Sequence, residues 1–304
     1  MSAPGSAVST EILSGRRVAE AMNVETVQRW KSKKRPQDPV PGLASVAVWE
    51  GSPFHLYQRQ QRRAAEKLGL AFKGIVLPQR TTPEELHRVV NDLNKDPTVH
   101  GIILQHPLPS PLDFFSVMSM VEPAKDIDGV GAVNLGRLLS RRPMHVPAVA
   151  LAARDILRSY RVQISGEPVV VVGRSETVGL PTALLLLMKG EPGDATVTVA
   201  HSRSKDLDGI ISRGKVLISC AGVPGLLHRK NVAAGTTVID VGLSTVPDAS
   251  APGGTRMAGD TVGLEGWAAA LTPVPGGVGP VTVSELLRST VMGWELTLGL
   301  SEAP

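Results

Sequence analysis

Apolar and polar stretches alternate along the chain in a way that predicts strands and helices in turn. Val169–Val172 is a run of four β-branched residues, the pattern of a strand buried on both faces. Gly173 ends the run, and an apolar helical stretch follows from Val178 to Met188 with Gly179 just inside it. A strand feeding a tight glycine turn and then a helix aims backbone N–H groups and the positive helix end at a phosphate. The spacing is not G-x-G-x-x-G, so the glycines by themselves leave an ordinary strand–helix turn open as the other reading.

The same alternation runs through the rest of the chain. Ahead of this segment it predicts a helix from about Glu11 to Trp30, a basic linker over Lys31–Pro36, and strands over Ala44–Trp49, Phe72–Leu77 and Gly101–Leu104. Ser52 reads as an N-cap and Pro53 as the first position of a helix reaching Leu68. Thr82-Pro83-Glu84-Glu85 reads as a capping-box start for a helix to about Asn94. Beyond residue 147 the pattern restarts, with a helix over Ala148–Tyr160 and strands over Ala195–Ala200, Val216–Cys220 and Thr237–Asp240. Ser244–Asp260 is a glycine- and proline-rich excursion, Thr272–Thr282 a rigid loop, and Val283–Leu298 a terminal helix.

Strands alternating with helices across both halves predict an α/β fold of two lobes with parallel sheets. The expected division is an N-terminal domain of residues 1–147, joined by the helix at about 283–300, and a Rossmann-type dinucleotide-binding domain over 148–282. A length of 304 residues suits one large domain or two ordinary ones.

Composition narrows the function classes. The formal charge of +4 is mild and no aromatic-interleaved basic stripe accompanies it, which favours an anionic small ligand over nucleic acid. Cys220 is the only cysteine, so an intramolecular disulfide and a cysteine-rich metal site are excluded. It follows the apolar stretch Val216–Ile218 and reads as a small buried hydrophobe. The histidines show no paired ligand spacing, and no metal is expected. The longest apolar run, Ala183–Met188, is far too short to span a bilayer, and the opening residues lack a basic n-region, so a soluble cytoplasmic protein is expected.

Candidate chemistry clusters at the predicted strand ends. Tyr57 and Gln61 lie four apart, on one face of the helix after the first strand. Gln105-His106-Pro107-Leu108-Pro109 leaves the third strand as a rigid, extended exit, where open α/β sheets hold ligands. Lys125-Asp126-Ile127-Asp128-Gly129 places two carboxylates in a short turn, with plain turn and capping aspartates as the alternative. The second strand of the later lobe ends in His201-Ser202-Arg203-Ser204, where an NAD-preferring fold usually places an acidic residue. Hydroxyls and the guanidinium groups of Arg174 and Arg203 suit a 2′-phosphate, which points to NADP over NAD.

VVVVGRSETVGLP, ATVTVAHS, VIDVGL and especially TPVPGGVGPVTVSELLRST resemble the methylenetetrahydrofolate dehydrogenase/cyclohydrolase (FolD) family. PGLASVAVWEGSPFHLYQRQ, GIILQHPLP and PAKDIDGVGAVNLGRL agree in order and spacing, so the resemblance covers roughly residues 10–298. It implies a tetrahydrofolate-derived substrate, NADP, and a homodimer. Substrate contacts would fall to Tyr57, Leu104, Gln105, His106 and Asp128, and to Pro275, Gly276, Gly277, Val278 and Val283 of the loop before the terminal helix. Cofactor contacts would fall to Gly173, Arg174, Ser175, Val178, Gly179, His201, Ser202, Arg203 and Leu243. The catalytic set would be Tyr57, Gln61, Gln105 and Asp128.

Departures from the family pattern bear on activity. The family carries a lysine where this chain has Gln61, a serine at Phe54, and P-C-T-P at Pro147–Ala150. The family oxidises 5,10-methylenetetrahydrofolate by hydride transfer and then hydrolyses the methenyl product, a step assigned to the lysine. A carboxamide hydrogen-bonds but has no useful pKa near neutrality. The expectation is that hydride transfer survives and cyclohydrolase activity is weak or absent. The alternatives are a catalytically impaired folate- and NADP-binding homologue, or a dehydrogenase for a modified one-carbon carrier.

Overall fold

The computed structural model describes residues 9–49, 54–251 and 253–300, with the side chains of 54–56 outside the description. The expected N-cap Ser52, the first-turn Pro53 and the Phe54 side chain therefore lie outside the described residues. In chain order the elements are β1 (Glu11–Ile12), α1 (Gly15–Lys33), β2 (Gly42–Val48), α2 (Phe54–Lys67), β3 (Ala71–Leu77), α3 (Pro83–Lys95) and β4 (Gly101–Leu104). Next come α4 (Phe114–Met118), α5 (Ala132–Leu139), α6 (Ala148–Ser159), β5 (Pro168–Val172), α7 (Gly179–Leu187), β6 (Thr196–Ala200) and α8 (Leu207–Ile211). The chain closes with β7 (Val216–Ser219), β8 (Thr237–Asp240), β9 (Ser244–Pro247), β10 (Thr255–Ala258), β11 (Ala270–Leu271) and α9 (Val278–Thr297).

These elements form two compact units. One comprises Glu20–Ala148 and the chain from Val283 onward. Its sheet is parallel in the order β3-β2-β4, with Val46 level with Ile75 on one side and Leu104 on the other. β2 is buried at every position, as a central parallel strand requires. One apolar cluster joins Val46, Val48, Ile102 and Leu104 to Leu86, Val90 and Leu93, which recur at helical spacing along α3. A second cluster joins Leu43 and Ile103 to Ala65, Leu68, Leu287, Val291 and Trp294. α3 starts as the sequence predicts. The Thr82 hydroxyl accepts the Glu85 N–H, and the Glu85 carboxylate accepts the Thr82 N–H.

The other unit comprises Val149–Thr282 together with the described residues up to Ala19. Its six strands are ordered β1-β11-β8-β7-β5-β6, and every neighbouring pair is parallel. Val170, Val172, Leu217 and Val238 bury their side chains against Ala200, Ile211, Leu227 and Leu264.

Several local expectations change. Glu11 and Ile12 do not open a helix; they pair with Ala270 and Leu271 as the sixth strand of the later sheet. The Glu11 N–H donates to Ala269 O and the Leu13 N–H to Leu271 O, because β11 would otherwise present an open edge. Residues up to Ala19 thus group with the later unit, against the expected N-terminal domain of 1–147. α1 begins at Gly15, where a side chain would fall on the Gly277 carbonyl, and it runs through Lys33, so the first half of the expected basic linker is helical. The excursion over Ser244–Asp260 contains an antiparallel hairpin of β9 and β10. α9 starts at Val278, so the end of the expected loop is helix.

Candidate active site

In the first unit, polar side chains converge on the middle of β2. Ser45 is fully buried and is the single hydroxyl in the apolar run of that strand. α2 brings Gln58 and Gln61, one helical turn apart, against it, and the exit of β4 brings Gln105. The Ser45 hydroxyl donates to Gln61 Oε1 at 3.1 Å, and Gln105 Nε2 donates to Gln61 Oε1 and to Ser45 Oγ, each at 3.0 Å. Gln58 Nε2 donates to the Ser45 carbonyl at 2.8 Å. The Gln61 side chain is 0% exposed, and its Nε2 has no hydrogen-bond partner among the described residues. With two donors facing Oε1, Nε2 is left toward the Tyr57 phenol, whose upward shift it opposes.

Tyr57, one turn before Gln61, is partly buried. Its phenol is pushed well above the usual range, first by burial and then by the Asp128 carboxylate. Burial raises the Asp128 carboxyl to about 6, opposed by the Ala148 N–H. The two aspartates of the expected acidic turn are thereby separated. Asp126 accepts the N–H groups of Gly129 and Gly131 and the Asn134 amide, at 3.1, 2.9 and 2.8 Å, and so builds the turn. Burial raises it to about 7. Arg62 lies over the Phe72 ring at 5.1 Å, and Lys67 sits at the far end of α2. Leu104 is buried in the core, and the exposed His106 packs its ring edge-on to Phe114. Val283 packs at the margin of the cluster that holds Trp294. Ser45 and Gln58 escaped the sequence reading, although a hydroxyl inside a strand buried at every position was a legible signal.

In the second unit, β5 delivers the chain to Gly173 at φ 133°, a conformation that favours glycine. A Cβ there would lie 2.7 Å from the Cys220 carbonyl oxygen, and one at Gly179 would fall on the Gly173 carbonyl. The turn therefore doubles back on itself with no room for side chains. The Gly179 N–H donates to Ser175 Oγ at 3.3 Å. Arg174 and Ser175 project into solvent, and Val178 is partly buried. At the end of β6, the His201 N–H donates to Ser204 Oγ, and the Arg203 N–H donates to His201 Nδ1, which leaves Ser202 and Arg203 exposed. Leu243, just past β8, is 62% exposed. Pro275 is exposed, and Gly276, at φ 110°, accepts the Arg16 N–H on its carbonyl. Gly277 is buried, and α9 begins at Val278. The sequence reading also missed Asp240 and Asp260, which are buried at this end of the sheet and heavily hydrogen-bonded.

A parallel sheet with a glycine-lined turn after one of its inner strands, on a chain that also carries a separate α/β unit with a buried polar cluster, is the architecture of a nucleotide-dependent dehydrogenase. The tetrahydrofolate dehydrogenase/cyclohydrolase catalytic domain matches residues 13–128, and the NAD(P)-binding domain of the same enzymes matches residues 147–297. The bifunctional protein FolD of Chlorobium chlorochromatii is 36% identical over 293 residues, covering 95% of this chain and 99% of its own. The structure of Trypanosoma brucei methylenetetrahydrofolate dehydrogenase-cyclohydrolase, complexed with NADP cofactor and inhibitor, superposes with a TM-score of 0.89 at 37% identity, covering 95% and 99% of the two chains. The 5,10-methylenetetrahydrofolate dehydrogenase of the silkworm, Bombyx mori, superposes with a TM-score of 0.87 at 32% identity, with the same coverage. This chain belongs to the FolD family of methylenetetrahydrofolate dehydrogenase/cyclohydrolases.

Proposed function

We propose that this protein oxidises 5,10-methylenetetrahydrofolate to 5,10-methenyltetrahydrofolate with NADP, and that it hydrolyses the methenyl product slowly or not at all. One observation carries the second half. Gln61, at the position where the resemblance expects a lysine, is sealed into a network of neutral side chains. Its carboxamide can donate a hydrogen bond but cannot take a proton from water. The nearest cations on α2 do not replace a lysine, since Arg62 is engaged on Phe72 and arginine hardly deprotonates.

Hydride transfer asks less of the protein. The substrate's own nitrogen lone pairs expel the hydride, so no protein group must exchange a proton. Position and orientation supply most of the rate. On this reading Asp128 accepts hydrogen bonds from the pterin amino edge, Tyr57 orients the ring, and Gln105 holds Gln61 in place. The glycine cradle at Gly173 and Gly179 fits a dinucleotide phosphate. The exposed Arg174, Ser202 and Arg203 fit a 2′-phosphate. NADP, when bound, supplies the hydride acceptor.

The deciding experiment measures both rates on one preparation: NADPH formation from methylenetetrahydrofolate, and stopped-flow hydrolysis of methenyltetrahydrofolate against buffer. NADPH formation with hydrolysis close to the buffer rate is expected. Strong acceleration of hydrolysis overturns the assignment to Gln61, and tight NADPH binding without turnover overturns the dehydrogenase.

A further inference from the structure

Asp260 is fully buried in the loop after β10. Its carboxylate accepts four hydrogen bonds at the exit of β7: from Ser219 Oγ at 2.6 Å and from the N–H groups of Ala221, Gly222 and Val223 at 3.0, 3.2 and 2.7 Å. Three successive N–H groups converging on one point make an anion-binding concavity. Here the anion is the protein's own.

Asp240, at the end of β8, repeats the device one layer back. It accepts the N–H groups of Gly242, Asp260 and Thr261 at 3.0, 3.0 and 2.8 Å, and the Thr261 hydroxyl at 2.7 Å. One carboxylate thus holds the backbone that carries the other. Two glycines make room for the pair. A Cβ at Gly242 would fall on the Asp260 carboxylate, and one at Gly259 on that of Asp240.

The loop held this way abuts the glycine turn of β5. The Cys220 carbonyl occupies the space a Gly173 side chain would need, and the Ser244 hydroxyl donates to the Gly222 carbonyl at 3.1 Å. β7 is the sheet neighbour of β5, and ligands of open parallel sheets lie past such carboxyl ends.

We propose that Asp260 is a positioning residue for dinucleotide binding. By filling the concavity after β7 it sets the Ala221–Val223 backbone as one wall of the cofactor site, and it leaves phosphate recognition to the Gly173–Gly179 turn. The inference rests on the NADP reading above. Charge type matters more than volume at this position. A carboxylate offers acceptors to all four donors, whereas a carboxamide of the same size turns its own N–H groups toward some of them.

The test uses the full chain and titrates NADPH and NADH by fluorescence. Asp260→Asn is expected to weaken both nucleotides by the same factor, about tenfold or more, because the loop does not discriminate the 2′-phosphate. The KM for methylenetetrahydrofolate is expected to stay within about twofold. Ser219→Ala removes one of the four bonds and is expected to weaken NADPH by about threefold, and it carries the test should Asp260→Asn fail to fold. NADPH binding unchanged in the folded variant overturns the proposal. So does a loss confined to NADPH with NADH unaffected, or an equal rise in the folate KM, which marks a merely structural role. A parent protein that binds no NADPH overturns the cofactor reading itself, and this inference with it.

Discussion

The polar cluster on β2 and the turn after β5 are built by opposite means. Ser45, Gln61 and Gln105 meet through side chains, so one substitution changes the chemistry with little demand on the backbone. The Gly173–Gly179 turn is made of backbone packed on backbone, with Arg174 and Ser175 exposed. The first site is chemically adjustable and the second is sterically rigid. On the proposed function, hydrolysis can therefore be lost at the cluster while the cofactor is still held at the turn.

The sharpest test of that contrast is Gln61→Lys. It places a proton carrier in the cluster and is expected to raise methenyltetrahydrofolate hydrolysis by about a hundred- to ten-thousand-fold, with a far smaller change in NADPH formation. Stopped-flow hydrolysis beside steady-state dehydrogenase rates reads both. At the turn, Gly179→Ala places a methyl on the Gly173 carbonyl and is expected to weaken NADPH binding by about a hundredfold, with a lowered Tm. Titration and thermal unfolding check this, and unchanged binding would show that the turn can yield.

The outward-facing cations should behave differently from the glycines of the turn. Replacing Arg174 and Arg203 together by alanine is expected to weaken NADPH about tenfold relative to NADH, with no loss of Tm. Raised salt should mimic part of the effect on the parent protein, because both groups are exposed.

The smallest expected effect lies in pH. Asp128 titrates at about 6, above the ordinary carboxyl value of about 3.9. The ionised form accepts hydrogen bonds more strongly, so the KM for the folate substrate should fall severalfold as pH rises through 6, and Asp128→Asn should flatten that profile. The sign for stability is opposite. A carboxyl raised in the folded state stabilises below its unfolded pKa and gives that contribution up as pH climbs through 6.

The sequence made the long regular elements legible because their signals are local. Thr82 and Glu85 announce a capping box, Val169–Val172 announce a doubly buried strand, and Gly101–Leu104 and Thr237–Asp240 fall where the pattern places them. β1 was illegible because two residues carry no periodicity, and its partner β11 lies near the other end of the chain. The β9–β10 hairpin hid in a stretch whose glycines and prolines read as loop. At the site, helical spacing put Tyr57 and Gln61 together on α2. It could not show that Gln105 arrives at the same point, since that meeting depends on β2 and β4 pairing in register. Asp240 and Asp260 gave little local sign, because most of their partners lie in distant parts of the chain.

The pairing of Glu11 and Ile12 with β11 has a consequence for how the protein is made. Those residues are synthesised long before the strand they pair with. Residues from Val283 onward likewise complete the unit that begins at Glu20. Neither unit is one uninterrupted segment, so each stays without its last strand or its closing helix until segments far apart in the chain have both been made.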